Sequence, residues 1–265
     1  MKEEEAYSIL DIISESDGQS VILTRSGSIC IPFELRQPEC YSLSPEEIDE
    51  RDGMYREAFR HMPDGTYVHK QDVFLKKEYH PGKGTGSFLD RADARHFEGR
   101  LYIDHTCILH FVLAGLKSLE KAYVSSPLAY KEHLHREDYR KLEAFLEGVD
   151  NAVSILQNMR GNSVLPMSRE GISGFTRAYS GLFGDTDAVV DIHVDGSLHV
   201  GKNHARCYAV CDETFLPEGN IESYVRDESL PPAASQLYHP LMEQLGMYLP
   251  YNHIVNQVIY FEGNE

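Results

Sequence analysis

The chain has 265 residues, 42% of them hydrophobic, so it is long enough to bury a core and to form one large domain or two subdomains. Its 25 Lys and Arg residues stand against 42 Asp and Glu residues, and the formal net charge of −17 argues against non-specific nucleic-acid binding. No apolar run approaches the roughly 18 residues of a transmembrane helix, and the acidic N-terminal sequence is unlike a signal peptide, so neither a membrane span nor export is expected.

The N-terminal region predicts an antiparallel meander. Residues 7–36 hold three short runs of strand-forming residues, separated by Asp17-Gly18 and Ser26-Gly27. Both dipeptides favour the tight turns of β-hairpins, so three consecutive antiparallel strands are expected.

A capped helix is predicted next. Ser44 supplies an N-cap side chain, Pro45 suits the first helical position, and Glu47 completes a capping box. The helix should end at Pro63-Asp64-Gly65. Its apolar stripe would consist of Ile48, Tyr55, Phe59 and Met62.

The middle of the chain predicts the centre of a sheet. A strand is expected over 66–75, then a glycine-rich loop over 80–86, then a short helix over 87–99. The apolar residues of that helix, expected to face inward, are Phe88, Leu89 and Phe97. Both faces of the next stretch, Leu101–Leu113, are apolar, as in a strand that is covered on both sides. Leu109 and Phe111 should therefore be buried.

The second half predicts two helices and then a return to strands. The helical spacing in 136–160 is carried by Leu142, Phe145, Leu146, Val149, Val153 and Leu156, and that in 168–182 by Ile172, Phe175, Tyr179 and Leu182. Strands are expected over 188–194, 197–201 and 206–212, with Asp195-Gly196 as a hairpin turn between the first two. A polar loop over 213–232, a short extended segment near 236–238, a short helix over 241–247 that starts after Pro240, and a last strand over 253–261 follow.

These elements predict an α+β fold with a mixed, mainly antiparallel sheet and helices packed against it. Three parts are expected. They are a β-meander with an α/β sheet over 1–117, a helical segment over 118–185 and a β-rich part over 186–265.

No complete motif for nucleotide, metal or covalent chemistry is found. Lys83 lies in the glycine-rich loop without the spacing of a P-loop, so a surface loop is expected. The thirteen histidines lack chelating spacing along the chain, and Cys207 and Cys211 would lie roughly 13 Å apart on a strand. Ser173, between two glycines, belongs to a predicted helix and not to a nucleophile elbow.

Two predicted strands carry unusual polar runs. They are His69-Lys70-Gln71-Asp72, and Asn252-His253 followed by Asn256-Gln257. One interpretation is that these side chains tie strand ends and loops together by hydrogen bonds. Another is a contact surface for a second protein or domain. A different class of function, a free-standing enzyme, would require two or more of His69, His105 and His253 to meet a carboxylate in one pocket.

Several runs along the chain carry a family resemblance. VHKQDVFLKKEY, SFLDR with RHF, IDHTCIL, DETFLP and YNHIVNQVIYF resemble, in this order, the N-terminal region of the TraG family of conjugative-transposon ATPases. The residues singled out by these runs are His69, Lys70, Gln71, Asp72, Ser87, Phe88, Arg91, His96, Phe97, His105, Asn252, His253, Asn256 and Gln257.

The resemblance implies a non-catalytic assembly and docking domain of a type IV secretion ATPase, which helps to move DNA between bacterial cells. ATP and magnesium would bind a motor domain outside this sequence, and no cofactor or metal is expected here. The chain would be a piece of a longer protein.

The partners implied by the resemblance are other secretion subunits at the inner membrane, the chain's own motor domain and further copies of the full-length protein, with no direct nucleic-acid contact. The protein would lie in the cytoplasm, peripheral to the inner membrane through these partners. Five cysteines without a pairing pattern also favour a reducing compartment.

Overall fold

A computed structural model of the protein describes residues 9–14, 18–38, 44–81, 87–116, 136–183, 192–195, 197–209, 224–226, 238–240 and 251–262. In chain order the elements are β1 (Ile9–Ser14), β2 (Ser20–Thr24), β3 (Ile29–Arg36), α1 (Pro45–Phe59), β4 (Thr66–Glu78), α2 (Phe88–Phe97), β5 (Leu101–Leu113), α3 (Arg136–Asn158), β6 (Ser163–Pro166), α4 (Arg169–Ser180), β7 (Ile192–Val194), β8 (Leu198–Val200), β9 (Asn203–Ala205), β10 (Tyr224–Arg226), β11 (Tyr238–Pro240) and β12 (His253–Phe261). They form the expected α+β fold.

The main sheet has the strand order β1-β2-β3-β5-β4-β12, and β6 pairs with the end of β3. Every pairing within it is antiparallel. The predicted meander is confirmed as β1, β2 and β3. Gly18 and Gly27 have φ angles of +89° and +77° between these strands, a region that glycine enters without strain.

The predicted central strand is confirmed. β5 covers Leu101–Leu113, as expected, and lies between β3 and β4. Leu109 and Phe111 are fully buried on what we call the first face of the sheet, and Ile108 and Val112 are buried on the opposite, second face. β4 is three residues longer than predicted and reaches Glu78.

Helices α1 and α3 cover the first face. The capping box of Ser44 and Glu47 is present at the start of α1. Phe145, Val149 and Leu156 of α3 are buried in one core cluster with Leu109 and Phe111. Leu146, expected in the same stripe, is instead exposed. The buried stripe of α3 runs through Phe145, Gly148, Val149, Ala152 and Leu156, and Leu146 lies to one side of it.

Helix α4 lies on the second face. Ile172 of α4 is buried with Ile22, Cys30 and Val112, while Tyr179, which the pattern placed inside, is exposed. Ser173 lies within this helix, as predicted. None of the helices in the described ranges is both long enough and apolar enough to cross a bilayer.

The inward orientation predicted for α2 is wrong. Phe88, Leu89 and Phe97 are 76%, 70% and 47% exposed, and no residue of α2 is buried. The helix lies between β4 and β5 in the chain, next to the start of β5. The pairing of β5 with β3 begins only at Cys107, so no other described strand of the sheet lies beneath the helix.

The C-terminal part departs further from the pattern. The predicted hairpin is present as β7 and β8, but the third strand is β9, and Arg206–Ala209 of the strand expected over 206–212 is not strand. β10 lies within the expected loop over 213–232, and β11 includes Pro240. The helix expected over 241–247 and residues 82–86 of the glycine-rich loop, which include Lys83, lie outside the described residues. β12 matches its prediction and pairs with β4 of the first predicted part.

Candidate functional site

The polar run of β4 is divided between the two faces of the sheet. Side chains alternate along a strand, so Lys70 and Asp72 lie on the first face and His69 and Gln71 on the second. Each pair meets residues of β5 and β12, the strands on either side of β4.

On the first face, Asp72 forms a nearly buried ionic cluster. Its side chain is 8% exposed, its Oδ1 accepts a hydrogen bond from His105 Nε2 at 2.9 Å, and its Oδ2 accepts one from Lys70 Nζ. Burial raises the pKa of Asp72, but the hydrogen bond from His105 and the charge and hydrogen bond of Lys70 outweigh it, so the net pKa lies below the ordinary value. The carboxylate is therefore held in its charged form.

Beside this cluster, one phenylalanine is stacked between two histidines. The ring of Phe74 lies 4.5 Å from that of His105 on β5 and 4.7 Å from that of His253 on β12, with tilts of 9° and 13°. His253 Nδ1 donates to the backbone oxygen of Tyr251 at 3.0 Å. Among the described atoms, its buried Nε2 has no hydrogen-bond partner.

On the second face, the polar side chains tie β12 to β4. His69 Nε2 and Gln71 Nε2 both donate to Oδ1 of Asn256, each at 2.9 Å. The His69 ring stacks on that of His110 at 5.2 Å. Burial lowers the pKa of His110 to about 4, with a further lowering from His69, so His110 is neutral at pH 7.

The remaining residues of the last polar run also lie along this strand junction. Oδ1 of Asn252 accepts a hydrogen bond from the backbone nitrogen of Lys76 at 2.8 Å. Gln257 is exposed and lies opposite Lys70 in the register. The hydrogen-bonding interpretation thus accounts for most of the polar runs of β4 and β12.

The structure does not bring the three proposed enzymatic histidines together. His105 and His253 share the first face with Asp72, but His69 lies on the second face. The sheet itself separates His69 from the others, so the enzyme hypothesis is left with two of its three histidines, His105 and His253, on the same face as the Asp72 carboxylate.

A second feature is the end of the molecule that carries α2, which we call the tip and define as residues 75–81 and 87–104. Beyond Phe74, β4 has no further β12 partner, and beyond Cys107, β5 has no β3 partner, so the two strands continue as a ribbon. The exposed apolar side chains of the tip are Tyr79, Phe88, Leu89, Phe97, Leu101 and Tyr102.

The tip is ordered without a core of its own. Ser87 Oγ accepts from the backbone nitrogen of Asp90 at 3.3 Å, and Asp90 Oδ2 accepts from that of Ser87 at 2.6 Å. The backbone nitrogen of Tyr79 donates to the Arg100 oxygen at 2.9 Å, which closes the ribbon. Two further predicted residues, Arg91 and His96, lie exposed on α2.

The charge of the tip differs from that of the whole chain. Its described residues include five Lys or Arg and five Asp or Glu, a balance of zero, whereas the chain carries −17. The tip therefore combines exposed apolar side chains with no net electrostatic repulsion.

The structure brings together a third group of side chains, which the search for metal-chelating spacing along the sequence did not find. His193, Asp195 and His199 come together at the β7–β8 hairpin, where His193 and His199 are register partners, and His204 of β9 is the register partner of His199. The available signal was a pair of histidines three residues before and three residues after Gly196.

No family model matches this chain, and no curated protein matches it. The resemblance to the TraG family therefore stays a prediction.

Proposed function

We propose that this chain is a non-catalytic assembly domain of a conjugative-transfer ATPase of the TraG type, and that its tip docks onto another subunit of the secretion machinery. The observation that carries the docking proposal is the exposure of Phe88, Leu89 and Phe97 on α2, a helix without one buried residue. The type of assembly, a secretion system for DNA transfer, is proposed from the motif resemblance to the TraG family.

Burial of the tip by a partner would be energetically favourable. Covering a phenylalanine or leucine side chain contributes about 1.5–3 kcal/mol, and Phe88 and Leu89 are neighbours on one ordered helix. Contiguous exposed apolar side chains on a folded domain are typical of interaction surfaces.

The tip also needs little ordering on binding. Its capping box and its ribbon hydrogen bonds hold α2 in place before a partner arrives. Preorganisation reduces the entropy cost of association, so a small surface can still bind usefully.

The motif residues on β4, β5 and β12 support this proposal in a different way. Asp72 with His105, and His69 with Asn256, join strands that are distant in the chain and hold the base of the ribbon. We assign these residues the role of supporting the tip. The ATP and magnesium implied by the resemblance would act in a motor domain outside this sequence.

The test is direct binding between the purified chain and purified inner-membrane subunits of the secretion system. We expect one subunit to bind, and the Phe88→Asp/Leu89→Asp double variant to lose that binding by about tenfold or more, since charges cannot enter an apolar contact. Tyr139→Asp on α3 is the matched control, because Tyr139 is also an exposed ring on a helix.

Two results would contradict the proposal. One is binding that is equal in the double variant and in the wild type. The other is ATP hydrolysis above background by this chain that disappears in Lys83→Ala, which would assign turnover to the glycine-rich loop.

A further inference from the structure

The small sheet of β7, β8 and β9 carries a row of imidazoles. The rings of His193 and His199 lie 4.6 Å apart with an angle of 4° between them, and the ring of His204 lies 4.2 Å from that of His199. Each histidine comes from a different strand, so the antiparallel register places them side by side.

A carboxylate completes the group. Asp195 follows β7 directly, and its Oδ1 lies 2.6 Å from Nε2 of His199. The ligand atoms of His193, Asp195 and His199 all lie within 4.8 Å of one another. Ser197 Oγ also contacts Nε2 of His199, at 2.9 Å.

From this geometry we propose that His193, Asp195 and His199 bind one divalent first-row transition ion such as zinc. Two imidazoles and one carboxylate are a ligand set that such ions use, with water in the remaining positions. This inference is independent of the docking function.

The ion would replace a hydrogen between two of its ligands. Nε2 of His199 lies within hydrogen-bonding distance of Asp195 Oδ1, and metal binding places the ion there; the proton on Nε2 is released to solvent, and the neutral ring then carries its one hydrogen on Nδ1. Nitrogen to zinc distances are about 2.0–2.1 Å, which puts tetrahedral ligand atoms about 3.3 Å apart. Oδ1 of Asp195 and Nε2 of His199, now 2.6 Å apart, must therefore separate slightly, whereas any pair near the 4.8 Å limit must close.

One ring must also turn. The parallel rings of His193 and His199 direct their in-plane lone pairs side by side, so one of them has to rotate about its Cβ–Cγ bond to share an ion. His193 and Asp195 are exposed, so these movements displace no packed core.

A bound ion would stabilise this small sheet. Its three strands have three residues each, and Val200 is the one buried side chain among those that the structure describes there. Sheets of this size are marginally stable by themselves, and a ligand that binds only the folded form stabilises it.

The test uses the whole chain, stripped of metal with a chelator. Calorimetric titration with Zn²⁺ should show one equivalent bound, and His193→Ala, His199→Ala and Asp195→Asn should each weaken binding by about tenfold or more. His204→Ala is the matched control, a histidine in the same row but outside the three-ligand group, and should bind nearly as the wild type does.

Hydrogen exchange supplies a second readout that does not depend on a variant folding. Zn²⁺ should slow amide exchange in residues 192–205 of the wild type and leave the main sheet unchanged. Four results would each overturn the proposal. Two concern the ion itself: unaltered amide exchange in residues 192–205, or a thiolate charge-transfer band with Co²⁺. Two concern the variants: equal affinities of His199→Ala and the wild type, or a loss of binding in His204→Ala as large as that in His199→Ala.

Discussion

Nε2 of His105 donates to Oδ1 of Asp72 across the β5–β4 pair at 2.9 Å, at the level where the apolar core ends and the ribbon of the tip begins. Cys107 is the last buried residue of β5 on this face before the polar cluster. A buried carboxylate here is tolerated because His105 and Lys70 both pair with it. The cluster thus forms the structural base of the proposed docking surface.

This pairing predicts a loss of stability in acid. The folded pKa of Asp72 lies below its ordinary value of 3.8, so its contribution is fully present above about pH 4 and is lost as the pH falls through the lowered pKa. Urea unfolding followed by circular dichroism from pH 7 to pH 3 should show that the free energy of unfolding of the wild type decreases in acid. The decrease should be smaller in Asp72→Asn. Asp93→Asn, on exposed α2, should keep the wild-type decrease.

The lowered pKa of His110 predicts a second pH dependence of the free energy of unfolding, at higher pH than that of Asp72. An ordinary histidine pKa is 6.5 and that of folded His110 is about 4, so the unfolded chain binds the extra proton between these values. The free energy of unfolding should fall by up to about 3 kcal/mol from pH 6.5 to pH 4, and below pH 4 this group should cause no further fall. In His110→Asn that fall should be absent, whereas His96→Asn on α2 should retain it.

The central strand predicts a large cavity effect. Phe111 is fully buried and contacts the rings of Phe33 and Phe59, with centroids at 5.8 and 6.3 Å. Phe111→Ala should lower the free energy of unfolding by about 3–5 kcal/mol, since the neighbours cannot fill the space. An unchanged urea midpoint would contradict the burial of β5, and the exposed Tyr139→Ala serves as its control.

The cysteines predict an order of chemical labelling. Burial raises the pKa of Cys30 and of Cys107 to about 12, so neither forms a reactive thiolate at pH 8, whereas Cys207 is exposed. Brief treatment with iodoacetamide followed by peptide mass spectrometry should find Cys207 modified, and Cys30 and Cys107 modified only in urea. Equal labelling of Cys30 in the native protein would argue against its packing with Ile172.

Much of the fold follows from local patterns. The turn glycines Gly18 and Gly27, the capping box at Ser44 and the two-sided apolar run of β5 each predicted an element that is present. These signals work because they depend on residues within a few positions of one another, where backbone conformation and side-chain periodicity are set.

The candidate site was less predictable. Phe88 and Leu89 have the apolar pattern of an inward face, yet nothing in the pattern tells whether another element lies against it. His69 and His105 looked like one cluster, but odd spacing along β4 and pairing across β5 put them on opposite faces.

Most strands, turns and helix caps of the main sheet could be located from the order of residues alone, because short-range periodicity and turn chemistry set them. Which side chains meet depends on the folded molecule: Asp72 and His105 are 33 positions apart, and His69 and Asn256 are 187 apart. Strand order and register set those distances, and both depend on burying the whole sheet under α1, α3 and α4 at once.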